Sequence, residues 1–166
     1  MNGDDDISEP SSPACSANEA DAAYMGYASR DELVAFLNLL LEAERAGARV
    51  TLRTAIEVQE SRLREIASSI HRDEAHWCAM LFDAVERLEA APSRRVGEFY
   101  DKAMAISDVP TRLAFLNKGQ AWVVKKLREM LPKVRDEELY RDLDLMLRSH
   151  ERNIEMVDHS GLTKSP

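Results

Sequence analysis

Four stretches of this chain carry apolar residues at intervals of three and four, and one polar residue stands midway along each: Glu44, Glu74, Gln120 and His150. That spacing predicts four amphipathic helices, each of which must bury its stripe against the others. In an antiparallel bundle the midpoints of four helices meet at one height, so these side chains would converge in the core, where carboxylates are seldom buried unpaired. The pattern therefore predicts an all-α antiparallel four-helix bundle and places a candidate site at its middle.

The stripes can be followed residue by residue. In the first helix, expected from about Asp31 to Ala55, Leu33, Leu37, Leu40, Glu44, Gly47 and Thr51 share a face, while Asn38, Glu42, Arg45 and Arg49 occupy another. Ser29 and Glu32 have the spacing of a capping box, in which hydroxyl and carboxylate each satisfy a free backbone donor. The second helix, about Arg62 to Ala90, has Leu63, Ala67, Ile70, Glu74, Trp77, Leu81, Ala84 and Leu88 on its stripe. After Ala91-Pro92-Ser93, the run GEFYDKAMAI suggests a short helix crossing the bundle end, so the connection between helices two and three is the long one. Asp108 and Pro110 then supply a cap and a preset φ for the third helix, with stripe Leu113, Leu116, Gln120, Val123, Leu127 and Met130. Pro132 closes it. Glu137 and Glu138 favour the start of the fourth, which runs to about Asp158 with Tyr140, Leu143, Leu147, His150, Ile154 and Val157 inward.

Composition sets the outer limits. A chain of 166 residues fits one domain, here residues 29–158, between an acidic tail expected to be disordered at 1–28 and a short tail at 159–166. The net charge is -8, but residues 1–28 hold six of the 30 acids and no Lys or Arg. The remainder, 24 acids against 22 bases, is close to neutral and gives little steering toward nucleic acid or anionic lipid. The acidic N-terminus and the lack of a long apolar run point to a cytoplasmic protein without membrane association. With only Cys15 and Cys78, no disulfide framework or CxxC metal knuckle is available. No GxxxxGK, GxGxxG or GxSxG motif occurs, so nucleotide cofactors and serine nucleophiles are not indicated, nor is haem or an iron-sulfur cluster.

The runs LLEAERAGA, RDEAHWCAML and SHERNI, on helices one, two and four, resemble the ferritin-like superfamily of rubrerythrin- and ferritin-type bundles, and within it an uncharacterised bacterial family. The resemblance spans roughly residues 30 to 158. It implies a carboxylate-bridged metal site, built from one Glu on each of two helices and a Glu-x-x-His pair on each of the other two. Carried across, Glu44 matches the helix-one ligand, Glu74 the helix-two glutamate and His150 the helix-four histidine. Trp77 stands where helix two should offer His, Gln120 where helix three should offer Glu, and Leu147 where helix four should offer Glu. Half of the six ligands are replaced. Two carboxylates and a neutral imidazole balance one divalent ion and leave two in positive excess, so the expectation is a single Fe, Mn or Zn ion with Gln120 beside it, used in redox or oxygen and peroxide handling. The alternative is a metal-free bundle with a vestigial layer, acting as a homodimer or as a module for a protein partner.

Other residues have plainer readings. Asp73 and His76 flank the apolar face as rim residues, and would be ligands only if helix two were rotated; His71, one turn before Glu74, could assist it. Cys78 reads as a small buried hydrophobe, and Trp77 and Trp122 as core or interface aromatics. Glu151 and Asn153 stand where they could orient His150. Lys125, Lys126, Arg128, Lys133 and Arg135 suit a helix C-terminus better than an RNA surface.

Overall fold

The computed structural model describes residues 25–161 and shows five helices there and no strand: α1 (Arg30–Glu57), α2 (Ser61–Arg87), α3 (Phe99–Met104), α4 (Val109–Met130) and α5 (Glu137–His159). The four long helices form the expected bundle, with α3 in the long connection between α2 and α4. Most of the N-terminal tail and residues 162–166 lie outside the described residues. No described helix is long and apolar enough to cross a membrane.

Local chemistry sets the helix ends. Ser29 accepts from the Glu32 amide at 3.2 Å, and the Glu32 carboxylate accepts from the Ser29 amide at 2.8 Å, completing the capping box. Asp108 accepts from the Thr111 amide at 3.0 Å. Asp136 caps α5 in the same way through Leu139, at 2.7 Å. Helix α2 stops three residues before the expected Ala90, because Glu89 turns to a φ of 54° and Arg30 of α1 donates to the carbonyls of Leu88 and Glu89 at 2.8 and 2.9 Å. Helix α5 includes His159, which was expected in the tail.

The core falls into two apolar clusters. One contains Leu37, Leu41, Trp77, Leu81, Leu127, Leu143 and Met146; the other contains Val50, Ile66, Ile70, Leu113, Leu116 and Val157. In every long helix a buried polar residue of the predicted layer, Glu44, Glu74, Gln120 or His150, lies between the two clusters. The layer read from the stripes is thus a real boundary across the bundle.

Helix α5 is rotated from its expected stripe. Leu139, Leu143, Met146, His150, Asn153 and Val157 face inward, whereas Tyr140 is 44% exposed and Leu147 and Ile154 are half-buried. The second face of α1 is more than a solvated surface. Asn38 accepts from the Ser93 amide at 2.7 Å, Glu42 binds the Ser93 hydroxyl at 2.6 Å and Arg95 at 3.0 Å, and the Gly97 amide reaches the Glu42 carbonyl at 3.1 Å. These contacts hold the long connection against α1.

Candidate metal centre

Glu44, Glu74, Gln120 and His150 are brought together, each no more than 3% exposed. Glu44, Glu74 and His150 can each present one ligand atom so that all lie within 4.8 Å of one another. Metal bonds to oxygen and nitrogen are about 2.0 to 2.2 Å, so two ligands on opposite sides of one ion stand at most about 4.4 Å apart. Side-chain adjustment of a few tenths of an ångström would close this triad on a single centre.

Each side chain has a local reason for its position. His150 donates from Nδ1 to the Met146 carbonyl, 3.0 Å away on the preceding turn, which leaves Nε2 as the inward atom. Nε2 lies 3.0 Å from Glu44 Oε1. The orienting role expected of Glu151 and Asn153 is thus filled by backbone: Glu151 pairs with Arg128 at 2.6 Å, and Asn153 Nδ2 has no partner. Glu74 accepts from the Gln120 amide. Its carboxylate lies flat against α1 because residue 47 is glycine; a Cβ there would stand 2.7 Å from Glu74 Cδ and 2.9 Å from Oε1. Gly47 is therefore a residue of the candidate site, although in the sequence it reads only as one member of the first helix's inward stripe.

The electrostatics follow from burial and crowding. Burial lifts Glu74 well above the usual carboxylate range, reinforced by the adjacent charge of Glu44, a hydrogen bond between the two carboxyl groups and the charge of Asp73; the Gln120 amide opposes this. Burial depresses His150, but the charge and hydrogen bond of Glu44, with the Met146 carbonyl, outweigh it and leave the imidazole above its ordinary value. Two polar atoms of the layer, Glu44 Oε2 and Gln120 Oε1, are buried without a partner. Oxygen acceptors left orphaned beside two carboxylates and a tautomerically fixed imidazole are a donor set that fits a cation.

The replaced positions and neighbours are equally plain. Trp77 is buried at the edge of the first cluster with its indole N–H unpaired, and Leu147 packs against that cluster, so neither supplies a ligand atom. Asp73 is a rim residue bonded to Ser149 at 3.2 Å, and His76 is exposed. His71 turns away to the Ala48 carbonyl at 2.9 Å. Cys78 is half-buried, its thiol pushed up to about 12 by burial and then by Glu44 and Glu74, which makes it a poor thiolate. The basic side chains near the end of α4 are spent on surface pairs, Lys126 with Glu129 at 3.4 Å and Arg128 with Glu151.

The centre is not sealed. A cavity of about 490 Å³ runs between α1 and α4, beneath α3, from exposed residues such as Lys118 and Trp122 to the buried Glu44, Glu74 and Gln120. Phe99 of α3 covers it by stacking on Phe115 with ring centroids 5.0 Å apart.

Comparison with solved structures gives a ferritin-like, diiron-carboxylate protein from Bacillus anthracis str. Ames, with a TM-score of 0.70 and 18% sequence identity over 78% of this chain and 95% of that one. At that identity the likeness establishes the fold, which is ferritin-like. Among curated proteins, none matches. The pattern of one family matches residues 31–159, most of the chain and all of the bundle, and the protein accordingly belongs to the family described as Domain of unknown function (DUF6306).

Proposed function

We propose that this protein is a ferritin-like metalloprotein that binds one divalent ion in the middle of its bundle, through Glu44, Glu74 and His150 with Gln120 alongside. The observation that carries the proposal is the buried triad with orphaned oxygens next to it. With both acids ionised, a layer that only fixed helix register would leave Glu44 Oε2 and Gln120 Oε1 without donors, and a buried acceptor without a donor costs about 1 to 3 kcal/mol.

The donor count supports one ion. Glu44 and Glu74 together neutralise a divalent charge, and the fourth, fifth and sixth positions of a two-metal site are occupied by Trp77, Gln120 and Leu147. Fe(II) or Mn(II) held there would supply one-electron chemistry toward oxygen or peroxide, whereas Zn(II) would supply Lewis acidity alone. The chain's own contribution is to hold Nε2 inward through Met146, to keep Glu74 against Gly47, and to exclude bulk water from the first cluster's side with Trp77 and Met146. Loading the centre requires both acids ionised and the imidazole neutral, so binding should release protons.

The test is metal content by elemental analysis after anaerobic reconstitution with Fe(II), Mn(II) or Zn(II), on wild type and on Glu44→Gln and Glu74→Gln. About one metal per chain, lost in both variants, is expected from the donor count. Two per chain would defeat the charge argument. None would leave a metal-free interaction bundle as the reading.

A further inference from the structure

We infer that the cavity between α1 and α4 is a binding site for a small amphipathic carboxylate, whose apolar body lies under α3 and whose anionic head rests on Lys118. This inference rests on the metal-centre reading for its chemical purpose, but the binding it asserts depends only on the cavity.

The cavity is built by small residues facing large ones. From α1, Ala43 and Gly47 stand one turn apart, and from α4, Gly119 admits the Phe99 ring so closely that a Cβ there would stand 2.9 Å from it. Opposite these gaps, Leu39, Phe99, Phe115, Trp122 and Val123 supply an apolar wall. A volume of about 490 Å³ lies within the range of sites that enclose a small organic molecule, well beyond what dioxygen or peroxide would need. Apolar lining with a small number of placed polar groups is the usual composition of such sites.

Charge bookkeeping at the mouth selects the head group. Of the four ionisable residues there, Glu42 is held by Ser93 and Arg95, and Glu98 pairs with Lys102 at 3.4 Å. Lys118 makes no ion pair among the described residues, and its side chain is exposed. One uncompensated cation at the mouth of an apolar cavity recognises an anion with an apolar body. Phe115, Lys118 and Trp122 share one stripe of α4, while Leu116, Gln120 and Val123 lie deeper. A ligand fixed at Lys118 therefore extends inward toward Gln120, Glu74 and Glu44, the end at which chemistry at the proposed metal would act.

The experiment is isothermal titration calorimetry of full-length protein, with and without reconstituted metal, using octanoate, 1-octanol and acetate. Octanoate is expected to bind at one saturable site, 1-octanol more weakly, and acetate not measurably. Lys118→Ala should weaken octanoate by about three- to tenfold, the scale of a half-solvated ion pair, and leave 1-octanol unchanged. Ala43→Phe, checked for folding by circular dichroism, should abolish both. Equal affinity for octanoate and 1-octanol, insensitivity to Lys118→Ala, or no saturable heat would each overturn the inference. Should the metal-free protein bind octanoate while no ion is ever retained, the cavity assignment survives and the metal reading fails; retention of metal without octanoate binding means the reverse.

Discussion

Two of the buried polar groups among the described residues are built on opposite principles. Near the end of α1, Arg112 is only 4% exposed, yet its guanidinium donates to the Ile106 carbonyl at 2.9 Å, to Glu57 at 2.8 Å and to the Thr54 hydroxyl at 3.3 Å. One cation meets one anion, and no buried atom of Arg112 or Thr54 is left without a partner. In the middle of the bundle, two carboxylates meet one imidazole, and Glu44 Oε2 and Gln120 Oε1 have none. The first group is complete as the chain folds. The second leaves acceptors unpaired, and that difference separates a structural staple from the candidate site.

The contrast predicts effects of opposite sign on stability. Arg112→Ala removes the donor from three acceptors at once and should cost about 3 kcal/mol in urea unfolding, at the low end for breaking a buried pair because Glu57 can turn to solvent. Metal content should be unaltered. A cost below about 0.5 kcal/mol would show that the group is no staple, since that is the range of ordinary surface substitutions.

Gly47→Ala sharpens the other side of the comparison. The added methyl would occupy the space of the Glu74 carboxylate, so metal affinity should fall by about ten- to a hundredfold, as for loss of a supporting contact. Without metal the same change exchanges glycine for a better helix former and should leave stability within about 1 kcal/mol of wild type. Unchanged affinity in a competition titration would mean that Glu74 has another position from which to bind.

Much of this arrangement was legible in the sequence, because a polar residue interrupting an apolar stripe fixes its own height in the bundle. Glu44, Glu74, Gln120 and His150 needed nothing more to be grouped. The rotation of α5 was harder to read: Leu139 and Tyr140, and Met146 and Leu147, offer apolar residues at adjacent positions, so two rotations about 50° apart fit the periodicity. Leu143, His150 and Val157 belong to both. Gly47 was hidden because a glycine's function here is the absence of a side chain, visible only once Glu74 is seen lying over it. The Arg112 group was hidden because its acceptors come from α1 and from the turn before α4, far apart in sequence. The cavity was illegible for a similar reason, since α3 is what roofs it.

A smaller effect tests the electrostatics of the layer directly. Glu74 is raised in the folded protein, so the folded state holds its proton more tightly than the unfolded chain does. The stability this contributes is fully present below the ordinary carboxylate value of 4.5 and is lost as pH rises through the folded value. Metal-free protein should therefore lose stability as pH rises from about 4.5 toward neutrality on account of this group. Glu74→Gln keeps the shape and removes the ionisation. It should flatten that part of the profile and make the metal-free protein more stable than wild type at pH 7. Loading wild type with a divalent ion should reverse the slope, because the bound form needs the carboxylate ionised, and the variant should show no such reversal. Chemical denaturation at a series of pH values measures all three. If Glu74→Gln were instead less stable than wild type at neutral pH without metal, the charge would already be satisfied by the protein, and the middle of the bundle would be a staple like Arg112.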